Sequence, residues 1–400
     1  MTLFKSCFIS IFILCQLLLG SAFAAPLIGV HTENISAIKN LSSNESALRQ
    51  LGAQVIRLPV TWHLMEESQK GTVPEWFWQE LDAEVAASRA LNAKLIITFS
   101  QTPCWASSDP KKNCENQDWN VLYPPKNMQD YADAIGLMAK RYQGRVLAYE
   151  IWNEPNLIYF WHGLPPRTTR NDEYGSFVSL NGAVEYAKMV VAAYRAVKSN
   201  DPQAVVLAGS IAGGDTDFLS VLYQNPQFKY SFDAISMHPY TSEYPGDNPK
   251  GTRFGPNECP QGAFSYWCSS VSVQRIRKIL DAKGQASKKI WFTEFGFSSS
   301  RNWNGSESIT PGKYSSEQGQ ALYLKQMAAL IKKWGFVPVA CWYNLLDSEF
   351  PETTPLDENN PDAYSHSREA FYGLFYADRT TLKPSGYAFK NVIKENSRIR

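Results

Sequence analysis

The 400-residue chain carries almost no charge imbalance, with 39 Lys and Arg against 38 Asp and Glu. No basic stripe runs along it, so the electrostatic footprint of a nucleic-acid partner is missing. Five histidines are scattered through the sequence. There is no Cys-x-x-Cys pair and no His-Glu-x-x-His, so no metal is expected. A Gly-x-Gly-x-x-Gly turn is absent, which removes the fingerprint of a dinucleotide cofactor. So is Gly-x-Ser-x-Gly, and Ser210 in "AGSIAGG" is misplaced for the nucleophile elbow of a serine hydrolase. No linker, low-complexity tract or short repeat divides the chain, and a single domain over residues 25–400 is expected after an N-terminal leader.

That leader contains the single long apolar run. "MTLFKSCFISIFILCQLLLGSAFAA" has one lysine, an apolar stretch from Cys7 to Leu19 and small residues ending at Ala24. This is the layout of a cleavable secretory signal over residues 1–24, and the stretch is short for a membrane span. A secreted or periplasmic monomer, with no membrane insertion once the signal is cleaved, is therefore expected. Of the seven cysteines, Cys7 and Cys15 fall in the leader. Cys104 with Cys114 and Cys259 with Cys268 are close enough in sequence to staple two long loops in an oxidising compartment. Cys341, in an apolar run, is left as a buried thiol.

What the chain has in quantity is alternation. Eight short apolar or β-branched runs ("PLIGV", "QVIRLPV", "KLIITF", "VLAYEIW", "AVVLAG", "FDAISM", "KIWFTE", "VPVACWY") are separated by stretches of helical spacing. In "NMQDYADAIGLMAKRY" the residues Tyr131, Ile135, Met138 and Tyr142 share one face, and Asn127 is placed to cap it. Eight strand–helix repeats predict an α/β fold of one closed (β/α)8 barrel. The runs lack polar alternation because the barrel interior buries one face and the helices bury the other.

In such a barrel the strand C-termini share one mouth, where polar residues read as site residues. His31, Arg57 with Trp62, Gln101 with Trp105, Asn153 with Glu154, Ser210, His238 with Tyr240, Glu294 and Trp342 stand at those ends. In "YEIWNEPNL" Pro155 ends the strand and Glu154 can look into the mouth, whereas Glu150 lies a layer deeper, where a buried carboxylate needs a cation such as Arg57. Glu294 in "KIWFTEFGF" ends the seventh run in the same manner, 140 residues after Glu154. Two carboxylates about 5 Å apart across a mouth suit double displacement at a sugar carbon.

"WNEP" after a strand, with "TEFG" further on, resembles clan A of the retaining glycoside hydrolases. With "RLPVTW", "TPCWAS", "MHPY" and "YGLFYADRTTLKP", the chain is similar to glycoside hydrolase family 39 and to neighbouring family 5 over most of its length. The resemblance implies Glu154 as acid/base, Glu294 as nucleophile and Asn153 on the sugar 2-hydroxyl. It implies that Arg57, His238, Tyr240 and Trp342 shape the subsite, with His31 beside them. Trp105 and Trp161 are further candidates for stacking on sugar rings. Trp152 is expected to give Glu154 an apolar wall. Neither metal nor cofactor is required.

Family 39 xylosidases carry a further β-sandwich, while only a short stretch follows "CWYNL" here. Loops over 104–126, 156–180 and 240–268 are expected to wall an open cleft instead. The expectation is an endo-acting hydrolase of a β-linked polysaccharide, such as a biofilm exopolysaccharide. An exo-acting β-xylosidase or β-mannosidase is the alternative within the class. A carbohydrate-binding barrel without catalysis is the alternative outside it, and it predicts loss of one of the two glutamates, both of which are present.

Overall fold

The structure is a computed structural model that describes residues 25–32, 43–165, 177–241, 255–257, 265–299, 316–348 and 371–398. The leader and Cys259 lie outside the described residues, as do parts of the loops expected to wall the cleft.

All eight apolar runs are strands: β1 (Leu27–His31), β2 (Val55–Thr61), β3 (Lys94–Ser100), β4 (Ala148–Ile151), β5 (Val205–Ala212), β6 (Ala234–His238), β7 (Lys289–Phe295) and β8 (Val339–Trp342). They pair in parallel and in chain order, and β8 returns to β1 to close the barrel. Each strand is followed by helix, from Glu45–Leu51 after β1 to Pro384–Ser397 after β8. The expected capping appears in Met128–Arg141, where the Asn127 side chain accepts from the Gln129 amide at 3.0 Å. Ser316 caps Glu317–Trp334 in the same way, accepting from the Gly319 amide, and Gly335 closes that helix in the left-handed conformation.

Strand parity sorts the core into two parts. Val55, Ile96, Ala148, Leu207, Ala234, Trp291, Val339 and Cys341 plug the barrel interior, while the alternate residues join the larger layer against the helices. Two positions further along the strands, the inward row turns polar: Arg57, Thr98, Glu150, Ser236 and Thr293, all buried. The barrel is therefore greasy at its floor and charged below its mouth. Close packing of β1 on β2 requires Gly29, since a Cβ there would lie 2.3 Å from the Val55 carbonyl oxygen.

Cys104 and Cys114 form a disulfide in the loop after β3. Cys268 is disulfide-bonded, and Cys341 is a buried free thiol, as expected. Among the described residues no helix is long and apolar enough to cross a membrane.

Candidate active site

Backbone irregularity concentrates at the mouth. Four of the seven described non-glycine residues with positive φ, namely Gln101, Trp152, Glu154 and Ser210, stand at the ends of β3, β4 and β5. Such conformations cost free energy and persist where the surroundings enforce them. Two register shifts lie in the same layer, one in β5 between Ala208 and Ile211 and one in β7 between Phe292 and Phe295. The shift in β7 re-aims Glu294, which simple alternation from Trp291 and Thr293 would turn toward the helices.

The result is a cluster of titratable groups drawn from five strands, β1, β2, β4, β6 and β7. Arg57, 1% exposed, donates from Nε to Glu150 Oε2 at 2.7 Å and from one terminal nitrogen to Glu294 Oε1 at 2.5 Å. Its other terminal nitrogen donates to Asn153 Oδ1 at 2.8 Å. Its contact with His31 Nδ1 at 3.0 Å makes that nitrogen the acceptor. Burial alone would lower the Arg57 pKa, but Glu150 and Glu294 outweigh it and raise the pKa. Burial would likewise push Glu150 up; Arg57, then His238 and the Thr98 hydroxyl, bring it below the usual carboxylate range. His31 is held well below the ordinary histidine value by burial and then by Arg57, so it is neutral.

Glu154 and Glu294 face each other as their spacing suggested. With His238 they form a group whose ligating atoms all lie within 4.8 Å of one another. Tyr240 donates its hydroxyl to Glu294 Oε2 at 2.9 Å, so Arg57 and Tyr240 occupy the two oxygens of Glu294. His238 Nδ1 lies 2.6 Å from Glu154 Oε1 and 3.5 Å from Glu294 Oε2. The three side chains have the spacing to hold a cation, but these hydrogen bonds already engage both oxygens of Glu294 and Oε1 of Glu154. Burial pushes Glu154 up to about 8; Arg57 opposes this and Glu150 adds to it. Burial lowers His238 to about 4, with Arg57 adding to the effect and Glu294 and Glu150 opposing it. At neutral pH the pair Glu154–His238 is thus a protonated acid beside a neutral imidazole.

Three aromatic assignments are corrected. Trp342 is fully buried in the helix-facing layer, edge-on to Phe295 at 5.3 Å, with its indole nitrogen donating to the Tyr372 carbonyl. Since Cys341 points inward, the next residue cannot, and the inward aromatic is Tyr343. It is half-buried, stacked on His31 at 5.3 Å and edge-on to Tyr240 and Tyr372. Trp161 is also fully buried, with Trp152 and Tyr186 set edge-on against it, leaving no face for a sugar. Trp152 itself, turned at φ 68, packs with Tyr131 and Trp161 and gives Glu154 no wall. Trp62 is equally buried, its indole donating to Glu66. Trp105 remains half-buried at the end of β3, tied by its indole nitrogen to the Glu66 carbonyl. Sequence reasoning missed Tyr343 and Tyr372; parity counted from Cys341 would have found Tyr343.

A closed parallel barrel with paired glutamates at the ends of its fourth and seventh strands defines a class, the (β/α)8 barrels of glycoside hydrolase clan A. Within it, residues 20–336 match the family model described as Cellulase (glycosyl hydrolase family 5), and the chain belongs to that family. A β-xylosidase of Geobacillus stearothermophilus is 27% identical over 186 residues, which cover 43% of this chain and 32% of that protein. A family 39 glycoside hydrolase from Bacteroides cellulosilyticus WH2 shares the fold with a TM-score of 0.63 and 20% identity, over 93% of this chain and 64% of the other. A monomeric β-xylosidase from Caulobacter crescentus CB15 does so with a TM-score of 0.59 and 19% identity, over 92% and 68%. The chain spans about a third of the length of the Geobacillus relative.

Proposed function

We propose that the protein is a retaining β-glycoside hydrolase in which Glu294 is the nucleophile and Glu154 the acid/base. The observation that carries this reading is the asymmetry of two carboxylates whose nearest oxygens are within 4.8 Å. One is buried and holds a proton up to about pH 8; the other receives hydrogen bonds from a guanidinium and a phenol, which stabilise negative charge. Retaining glycosidases need carboxyl groups about 5–5.5 Å apart, because a wider gap admits water and inverts the centre.

Glu294 attacks the anomeric carbon while the Glu154 proton goes to the departing glycosidic oxygen, giving a covalent glycosyl–enzyme. Esterification removes the Glu294 charge, so Glu154, now a carboxylate, takes a proton from water as that water attacks and releases the sugar. Asn153, with Oδ1 committed to Arg57, has its amide nitrogen to offer a sugar hydroxyl. Tyr343 supplies the aromatic face that Trp342 was expected to give.

The substrate we propose is a β-linked polysaccharide, such as an exopolysaccharide, cut internally by a secreted or periplasmic enzyme. Half-buried Trp105 and exposed Tyr159, in the loops after β3 and β4, offer aromatic surface beyond one sugar ring. The leader-like N-terminus and the Cys104–Cys114 bond support an oxidising compartment. A second reading, exo-acting β-xylosidase, draws on the similarity to the Geobacillus and Caulobacter enzymes.

A panel of β-glucans, xylans, mannans and bacterial exopolysaccharides tests these readings. Mixed oligomers from the earliest time points support endo action, and monosaccharide alone supports the exo reading. A Glu294→Gln variant that stays folded and keeps wild-type turnover would remove the mechanism.

A further inference from the structure

On the reading of Glu154 as acid/base, we infer that Ser210 is a positioning residue for it, fixing both the tautomer of His238 and the backbone of Glu154. Ser210 sits in the register shift of β5, where Gly209 and Ser210 together oppose Ser236. Gly209 is required there, since it has φ 117 and a Cβ would lie 2.6 Å from the Ser236 carbonyl oxygen. Ser210 follows at φ 46, a conformation serine rarely adopts, and its own amide donates to Ser236 Oγ at 2.8 Å. This irregularity carries a fully buried hydroxyl to a point that two groups reach. The Glu154 amide donates to Ser210 Oγ at 3.3 Å, and Ser210 Oγ lies 3.3 Å from His238 Nε2.

A hydroxyl has one proton to give and two lone pairs. The Glu154 amide takes a lone pair, so the proton can go to Nε2, which leaves the ring proton of neutral His238 on Nδ1. That assignment also suits the far side of the ring. Nδ1 faces Glu154 Oε1 at 2.6 Å and Glu294 Oε2 at 3.5 Å, where an N–H serves both oxygens and a bare lone pair would be turned on the Glu294 carboxylate. With Nδ1–H donating to Oε1, the acid proton of Glu154 is confined to Oε2. When that proton leaves, the same imidazole N–H stabilises the carboxylate, and no net charge enters or leaves the ring. The charged and titratable groups around Glu154 are Arg57 from β2, Glu150 from its own strand, His238 and Tyr240 from β6 and its end, and Glu294 from β7, with His31 of β1 behind Arg57. Ser210 adds no charge to this set and acts through His238.

The test uses the full enzyme with 15N-labelled histidine, the His238 signals being assigned by their loss in His238→Asn. Wild type is expected to show neutral His238 protonated at Nδ1. An Nε2–H or charged ring at neutral pH overturns the inference, and this holds even if the protein hydrolyses nothing. The variant is Ser210→Gly, because glycine accepts φ 46 and the fold survives. Its kcat should fall roughly tenfold to a hundredfold, within the range of acid–base effects, with KM changed less than about twofold. The basic limb of its pH–rate profile should move up, since the donor that favoured the Glu154 carboxylate is no longer fixed. Wild-type kcat and an unmoved limb in Ser210→Gly would overturn the proposal. An inactive wild type would instead contradict the hydrolase reading.

Discussion

Arg57 and Glu150 form an ion pair at 2.7 Å in which neither side chain meets water, at 1% and 0% exposure. The pair lies one layer below the mouth, and its effect is directional. Glu150 Oε2 meets both Nε and one terminal nitrogen of Arg57, which leaves that terminal nitrogen to reach Asn153 as well and the other to face Glu294 and His31. Glu150 thus orients the cation that stabilises the proposed nucleophile.

Replacing Arg57 by Met should therefore damage the fold as well as the chemistry. It leaves Glu150 buried without a counter-ion, a loss of about 3–5 kcal/mol where one partner of a buried pair is removed. Urea unfolding should show this drop; stability within about 1 kcal/mol of wild type would mean that the carboxylates find other partners.

The pH dependence follows from Glu154. Its raised pKa, about 8 against an ordinary 4.5, means that the folded state holds a proton that the unfolded state gives up. The stability it contributes is fully present below pH 4.5 and is lost as pH rises toward and through 8. On the proposed mechanism kcat/KM falls over the upper part of the same window as the acid ionises. In Glu154→Gln the difference in Tm from wild type should widen with pH between those limits. A constant difference would show that Glu154 does not titrate there.

Tyr343 and Trp342 should behave as opposites. Trp342→Ala removes a fully buried indole and should cost about 3–5 kcal/mol of stability. Tyr343→Ala, at a half-buried ring facing the mouth, should fold and lose roughly fivefold in kcat/KM, the equivalent of an aromatic contact of about 1 kcal/mol. The reverse pattern would return the stacking role to Trp342.

The Cys104–Cys114 bond closes the loop that carries Trp105. Replacing both cysteines with serine should cost up to about 3 kcal/mol, the value expected for a closed loop of this length. KM should rise for polymeric substrates and stay near wild type for an aryl glycoside. Equal effects on both would place Trp105 outside the binding of distal sugars.

The barrel was legible because strand identity depends on short apolar runs, and these survive in the sequence whatever the loops do. Glu154 and Glu294 were legible for a related reason, since each stands near the end of such a run, and Arg57, inside its run, was legible because buried charges need partners. The aromatic residues were misread where side-chain direction departs from simple position. Trp152 turns away because its φ is positive, and Trp342 lies one residue off the inward row that holds Cys341 and Tyr343. The bulges that aim Glu294 and Ser210 leave no local sequence signal beyond Gly209, because they arise from register between neighbouring strands.

The most direct measurement is to trap the covalent intermediate. Incubation with 2-deoxy-2-fluoro β-glycosides of xylose, glucose and mannose, followed by proteolysis and mass spectrometry, identifies the side chain that bonds the sugar. A glycosyl adduct on Glu294, absent in Glu294→Gln, is predicted. An adduct on Glu154, or hydrolysis that releases the inverted anomer with no adduct formed, would contradict the account.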